Sequence, residues 1–137
     1  MQARTLLAGK RGLVMGVAND KSIAWGIAKT AANQGAEIAF SFQTEGFGKR
    51  LAPLADSIGS NIMIKCDVAD EKAVEHCFAE LANHWPTIDF VVHALAFSDK
   101  NELKGAYMNT SRDNFANTMM ISAYSFTEVA RAASAMM

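Results

Sequence analysis

The stretch RGLVMGVANDKSIAWGIA, residues 11–28, decides how the rest of the sequence is interpreted. Residues 13–15 form a short apolar run without helical spacing, which is typical of a strand buried on both faces. Small and turn-forming residues follow Gly16, and from Ser22 onward the apolar positions return at helical spacing. The pattern predicts a central strand, a glycine-containing turn and a helix with Ser22 as its N-cap.

A turn of this kind is able to bind an anion, because the unpaired amides and the dipole at a helix start favour negative charge. Five residues separate Gly16 from Ser22, Gly26 lies inside the helix, and the standard G-x-G-x-x-G pattern is absent. Two interpretations are therefore open. The turn either holds the pyrophosphate of a dinucleotide, or it is an ordinary βα turn in which Gly26 lets helix and sheet approach closely.

Length and composition restrict the class of protein. The chain has 137 residues, of which 50% are hydrophobic and 20% charged, as expected for one globular domain with a sizeable core. Its formal net charge of −1 predicts neither a nucleic acid nor an anionic membrane as partner. Without a signal peptide pattern or a membrane-length apolar run, we expect a cytoplasmic protein that binds a small molecule.

The cysteines and histidines do not form a metal-binding pattern. Cys66 and Cys77 lie beside apolar positions, which predicts buried thiols rather than a disulfide scaffold. The pairings with the three histidines lack ligand spacing, so no metal site is expected. His93 lies in an apolar run and is expected to be a hydrogen-bonded core histidine.

Further apolar runs at residues 36–42, 62–64 and 90–96 alternate with helical patterns. The alternation predicts an α/β fold, a Rossmann-type doubly wound parallel sheet with strand order 3-2-1-4. Gly35 and Gly59 are expected to end the first two helices, and Asp70 to begin the third. The ligand crevice would lie at the carboxyl ends of strands one and four.

The residue at the end of the second strand is Gln43, about twenty residues beyond the helix start. Dinucleotide folds usually place an acidic residue there for the ribose, or an arginine nearby for a 2′-phosphate. The neutral amide of Gln43 can bond the ribose or adenine, and the next cations are Lys49 and Arg50. This favours NADH over NADPH, with a solvated strand-end glutamine as the alternative.

Two later strand ends point to the same edge. Asp67 follows the third strand and can accept from the adenine amino group, with Val68 against the ring, or it is simply a turn aspartate. Ala94 and Ala96, at the end of the fourth strand, leave room for a ligand to approach the backbone. Because these positions coincide with Gly16 at one edge, the nucleotide interpretation is favoured over the bare turn.

The last segment predicts a long helix that begins at Ser111 or Thr110 and is apolar on more than one side. More chain or another subunit would be needed to cover such a helix. One expected face comprises Phe115, Met119, Ser122, Phe126, Val129, Ala130, Ala133 and Met137, and a second comprises Met120, Ala123 and Tyr124.

Segments 16–28, 41–43, 66–68, 89–98 and 121–126 together resemble the bacterial enoyl-acyl carrier protein reductases, a divergent family of short-chain dehydrogenase/reductases. The variant G-x5-S-I-A-x-G is specific, because most short-chain dehydrogenases carry a third glycine where Ser22 stands. The resemblance extends from about Leu6 to the last residue. It implies that residues 1–137 are a dinucleotide-binding Rossmann domain, the N-terminal portion of a single-domain enzyme, truncated before the remaining strands.

The resemblance also implies NAD(H) as cofactor and assigns site residues to each part of it. Ala96 departs from the family, which more often has glycine there. The implied contacts are Gly16, Ser22 and Ile23 for the pyrophosphate and its ribose, Gln43, Asp67 and Val68 for the adenosine, Leu95 and Ala96 for the nicotinamide, and Phe97 and Ser98 for the acyl substrate.

The reaction implied by the resemblance is the reduction of a trans-2-enoyl thioester on acyl carrier protein, in fatty acid biosynthesis. Hydride passes from the nicotinamide to the β-carbon while a tyrosine hydroxyl and the cofactor ribose, itself held by a lysine, stabilise the enolate oxygen. The family carries these groups in a Tyr-x6-Tyr-x6-Lys arrangement beyond the long helix, and neither Tyr107 nor Tyr124 has that spacing to a lysine. We therefore expect these 137 residues to hold much of the cofactor site, to contain no catalytic residue and to be inactive alone.

The family further implies a homotetramer. Two alternatives are open: a non-catalytic nucleotide-binding module, or another short-chain dehydrogenase acting on an alcohol or ketone. A stop codon after Met137 favours the module, and continuation of the reading frame into Tyr-x6-Tyr-x6-Lys favours the enzyme.

Overall fold

The computed structural model describes residues 6–137, and residues 1–5 of the proposed domain lie outside that range. Strands and helices alternate along the first two thirds of the chain, and the last third is helical. The strands are β1 (Arg11–Met15), β2 (Glu37–Phe42), β3 (Met63–Lys65) and β4 (Phe90–His93). The helices are α1 (Ile23–Asn33), α2 (Glu45–Ser57), α3 (Glu71–His84), α4 (Arg112–Met119) and α5 (Ser125–Ser134).

The sheet confirms the predicted topology. All strand pairs are parallel, and the order is β3-β2-β1-β4. Successive residues of β1 enter two separate cores: Leu13 and Met15 pack with α3 and α5, whereas Val14 packs with α1 and α2. Because side chains alternate across a strand, β1 is buried on both faces, and the sheet is doubly wound as expected.

Gly35 and Gly59 have the role predicted from the sequence, whereas Gly26 does not. Gly35 and Gly59 have positive φ angles of 97° and 75° just after α1 and α2, which confirms that they end these helices. Gly26 is exposed, and a Cβ added there would meet nothing within 4 Å, so its proposed close approach to the sheet is wrong. The close approach belongs to Gly16, whose φ is +112° and whose added Cβ would overlap the Ala94 carbonyl oxygen.

The fourth strand is shorter than the apolar run predicted. Ladder pairing ends at His93, and the amide of Ala94 donates a last hydrogen bond to the Met15 carbonyl, N···O 3.1 Å. Residues 94–99 then follow an irregular path off the sheet edge. Hydrophobicity identified the run, but only the length of β1 beside it decided where pairing stops.

The predicted final helix is interrupted. A π-helical turn at Met120–Tyr124 separates α4 from α5, and Ser111 caps α4 by accepting from the Asn114 amide. Of the first predicted face, Val129 and Ala133 are buried and Ser122 is half-buried. The other apolar residues of that face are exposed in this chain, as expected for a helix that needs more chain or another subunit to cover it: Phe115, Met119, Phe126, Ala130 and Met137.

Among residues 6–137, no helix combines the length and apolar character that crossing a bilayer would require.

Candidate functional site

A cavity of about 170 Å³ opens at the carboxyl ends of the strands, beside the point where the strand order reverses between β1 and β4. In open α/β sheets this is where ligands bind. Most residues predicted to contact the cofactor line its wall: Gly16, Gln43, Asp67, Val68, Leu95 and Ala96.

Sequence reasoning missed part of the wall. Three of the missed residues, Val17, Phe42 and Cys66, are immediate neighbours of predicted ones, so strand-end position was a usable signal for them. Phe47 comes from the first turn of α2 and Ile121 from the π turn, and tertiary packing alone brings them to the cavity. Ala94, expected from the sequence to leave room for a ligand, also lines the cavity, and the residues that were missed are Val17, Ala18, Ser41, Phe42, Phe47, Cys66 and Ile121.

Gln43 and Asp67 meet across the ends of β2 and β3. The Gln43 side-chain amide lies 3.5 Å from Oδ2 of Asp67, and Oδ1 of Asp67 accepts from the Ala69 amide at 3.0 Å. Asp67 is thus a turn aspartate and a cavity residue at once, because its two oxygens serve different partners. Together the pair offers an amide and a carboxylate oxygen to a ligand's hydroxyl or amino groups.

The turn before α1 is organised by Ser22, in an unexpected manner. Ser22 is the N-cap residue, but its hydroxyl oxygen accepts from the preceding amides of Ala18 and Asn19, at 2.9 and 3.1 Å. Within the described part of the chain, no side chain caps α1. The amides of Ile23 and Ala24, at the start of α1, are therefore the donors offered to an anion, whereas four amides of the preceding turn are already paired: those of Ala18, Asn19, Lys21 and Ser22.

Four predicted residues lie outside the cavity wall. Ser22 and Ile23 stand at the start of α1, with Ile23 80% exposed. Phe97 is 47% exposed, and its backbone is bonded to Ser122. The half-buried Ser98 accepts from Nδ2 of Asn114 at 3.2 Å.

His93 has the structural role expected of it. Its Nε2 lies 2.7 Å from the buried Ser125 hydroxyl, and its ring meets Phe126 edge-on with centroids 5.6 Å apart. The Ser125 hydroxyl donates to the Ile121 carbonyl, so it accepts from Nε2–H, which assigns the tautomer. Desolvation by burial lowers the pKa of His93, so the ring is neutral at pH 7.

The cysteines are free and buried, as predicted, and Cys66 lines the cavity. The hydrogen bond to Cys66 and burial raise the pKa of the Cys77 thiol, which is therefore uncharged. Across residues 6–137, no three histidine, cysteine or carboxylate side chains are gathered closely enough to hold a metal ion.

Comparison with known proteins places this architecture in a family. The family model described as "Enoyl-(Acyl carrier protein) reductase" matches residues 16–137. A relative from Rhizobium meliloti (strain 1021), enoyl-[acyl-carrier-protein] reductase [NADH] 2, is 55% identical over 96% of this chain and 49% of its own length. A Rickettsia bellii (strain RML369-C) relative of the same kind, named [NADH] FabI, is 47% identical over 96% of this chain and 50% of its own.

Solved structures that are similar to this chain are also enoyl-acyl carrier protein reductases. FabI from Candidatus Liberibacter asiaticus superposes with a TM-score of 0.95 at 56% identity, covering 97% of this chain and 52% of its own. The reductase from Anaplasma phagocytophilum, solved in complex with NAD, gives 0.94 at 52% identity and covers 99% and 52%. The chain spans about half the length of the relatives it matches. The match includes strands β2, β3 and β4, all predicted site residues and every residue that lines the cavity, and the chain belongs to the enoyl-(acyl carrier protein) reductase family.

Proposed function

We propose that this chain forms the dinucleotide-binding part of an NADH-dependent reductase that converts trans-2-enoyl-acyl carrier protein to acyl-acyl carrier protein. The observation that carries the proposal is the convergence of Gly16, Gln43, Asp67 and Leu95 on one cavity at the strand-order reversal of a Rossmann sheet. Relatives named NADH-dependent reductases and a neighbour solved with NAD support the choice of cofactor.

The cavity suits a ligand that extends beyond it. Its volume of about 170 Å³ is below the roughly 300–1,000 Å³ of pockets that enclose a drug-sized ligand, so a dinucleotide would lie along it rather than inside it. The adenosine would contact Gln43, Asp67 and Val68, and the nicotinamide would contact Leu95 and Ala96. The pyrophosphate would lie beside Gly16, Ser22 and Ile23, with the Ile23 amide at the start of α1 as a donor. Phe97 and Ser98 would border the acyl substrate.

Charge at the adenosine end supports NADH over NADPH. The carboxylate of Asp67 beside the neutral Gln43 would repel a 2′-phosphate. Two nearby cations already have partners: Lys65 Nζ lies 3.6 Å from Glu45, and the Arg50 guanidinium lies 4.7 Å from the centroid of the Phe47 ring. A related reductase from Bacillus cereus was solved with NADP+, so the ratio of the two affinities is the quantity to measure.

The residues of this chain bind and orient the cofactor, and the nicotinamide would supply the hydride. No tyrosine and lysine at the family spacing occur among the 137 residues, so the polypeptide is proposed to bind NADH without reducing an enoyl thioester.

Calorimetric titration with NADH, NADPH and AMP tests binding, and loss of NADH absorbance with an enoyl thioester tests turnover. We expect NADH to bind more tightly than NADPH and no turnover. Failure to bind NADH and AMP refutes the proposed site. Turnover by a sample whose mass confirms 137 residues refutes the proposal that these residues contain no catalytic centre.

We also propose that the protein assembles with copies of itself, as a tetramer, in the cytoplasm where its soluble substrates would be. The support is an exposed apolar surface on α4, the π turn and α5 that includes Phe115, Met119, Met120, Tyr124 and Phe126. Multi-angle scattering on the protein and on Met120→Glu tests this. A monomer at every concentration contradicts self-association, and a stable dimer contradicts the tetramer alone.

A further inference from the structure

The segment that follows β4 has an unusual form of support. After the Ala94 amide bonds to Met15, residues 95–99 belong to no strand or helix, and no sheet ladder pairs their backbone. Backbone polar groups in a folded chain need partners, so something else must fix the path of this segment. Leu95 and Ala96, which line the cavity on the side proposed for the nicotinamide, belong to it.

The support comes from one polar face of the last helical region. The Ser122 hydroxyl accepts from the Phe97 amide at 3.0 Å and donates to the Phe97 carbonyl at 3.1 Å. One turn earlier, Thr118 lies 3.2 Å from the Ser98 hydroxyl. A further turn back, Asn114 donates to Ser98 and accepts from the Asp99 amide, at 3.2 and 3.1 Å.

The same side of the last helices continues past the cavity. Ile121 lines the cavity, its neighbour Ser122 holds Phe97, and Ser125 holds the His93 ring at the end of β4. Residues 114, 118, 122 and 125 are three or four positions apart, a spacing that places their side chains on one side of a helix. This side of the helices therefore contacts the end of β4 and the segment that follows it.

Leu95 and Ala96 are consequently held between two fixed points. On one side, Ala94 is bonded to Met15 and packed against Gly16. On the other, both backbone polar groups of Phe97 are bonded to the single Ser122 hydroxyl. Since Leu95 and Ala96 make no comparable bonds of their own among the described residues, the position of this wall depends on Ser122.

We propose that Ser122 is a positioning residue that, through the Phe97 backbone, sets the nicotinamide-side wall of the cavity before the cofactor arrives. The inference rests on the proposed function for the identity of the ligand. It predicts that Ser122 acts on the nicotinamide half of NADH and not on its adenosine half, which lies against β2 and β3. Preorganisation of this kind increases affinity by reducing the ordering cost of binding.

The test compares NADH and AMP binding to the 137-residue chain and to Ser122→Ala, Ser122→Thr and Ser134→Ala. Ser122→Ala removes both bonds to Phe97 and should weaken NADH binding by about tenfold while leaving AMP binding within about twofold. Ser122→Thr retains a hydroxyl and should restore NADH binding. Ser134→Ala is the matched control, because the exposed Ser134 hydroxyl donates to the Arg131 carbonyl of its own helix, at 2.7 Å, and bonds to no other element within residues 6–137.

Each result decides a separate point. Unchanged NADH affinity in Ser122→Ala overturns the inference, and an equal loss of NADH and AMP affinity assigns Ser122 a general structural role and overturns it too. If the parent chain binds neither ligand, the proposed function fails, and amide hydrogen exchange still tests the positioning. Faster exchange at Phe97 in Ser122→Ala, and not in Ser134→Ala, supports the role; unchanged exchange refutes it.

Discussion

The two sides of the cavity are built in different ways. On the side proposed for the adenosine, called the adenosine side below, Gln43 and Asp67 follow strands β2 and β3, whose own backbones are paired in the sheet. On the side proposed for the nicotinamide, called the nicotinamide side, Leu95 and Ala96 belong to an irregular segment held by serine, threonine and asparagine side chains of the last helices. Local pattern suffices to define the first kind of wall, whereas the second requires contacts between residues far apart in sequence.

Gly16, at the end of β1 between the two sides, lies close against Ala94, and a substitution there should have the largest effect. Gly16→Ala places a Cβ against the Ala94 carbonyl oxygen on a backbone with φ of +112°, and should destabilise the chain by about 3 kcal/mol. Urea denaturation measures this. Gly26→Ala is the control: with nothing within 4 Å of the new Cβ, it should stabilise the exposed helix position by about 1 kcal/mol. Similar stabilities for the two variants would contradict the close approach.

A second break removes the buried anchor of the nicotinamide side. Ser125→Ala leaves the Nε2–H of His93 without its partner at 2.7 Å and should lower the free energy of unfolding by about 1–2 kcal/mol. Ser134→Ala, on the same helix, should change it by less than about 0.5 kcal/mol. Equal effects of the two substitutions would show that the His93–Ser125 bond contributes nothing to stability.

The adenosine side should respond in binding rather than in stability. Gln43→Ala removes an exposed amide from the cavity wall and should weaken AMP binding by about three- to tenfold, with unfolding unchanged. Asn61→Ala is a matched amide control, because Asn61 is exposed and precedes β3, at the opposite edge of the sheet. If both variants bind AMP like the parent chain, Gln43 is only a solvated strand-end residue.

The smallest expected effect is the pH dependence contributed by His93. Burial lowers its pKa below the ordinary value of 6.5, so the unfolded chain binds more protons than the folded one as the pH falls through that value. The contribution of His93 to stability is therefore present above pH 6.5 and is lost on acidification. Between pH 7.5 and 5, the free energy of unfolding should decrease less steeply for His93→Asn than for the parent chain. An equal decrease in both proteins would contradict this role of His93.

The sequence predicts the strand order and the burial of the sheet on both faces. It also predicts the strand-end residues of the candidate site. Unbroken apolar runs separated by helical spacing admit few arrangements, and parallel crossovers have one hand. The same logic located Gly16, Gln43 and Asp67 at one edge, because carboxyl ends of parallel strands coincide. It failed at Gly26, since a glycine in a helix does not reveal whether anything packs against it.

The sequence by itself determined a Rossmann-type α/β sheet and the residues at the carboxyl ends of its strands, because apolar runs and turn chemistry are local properties. Only the tertiary structure decided the end of β4, the π turn, and the bonds from Ser122 and Ser125 to residues 25 and 32 positions earlier. A serine in a helix has no pattern that names its distant partner. Its role emerges once packing brings the helix against a backbone segment that the sheet no longer holds.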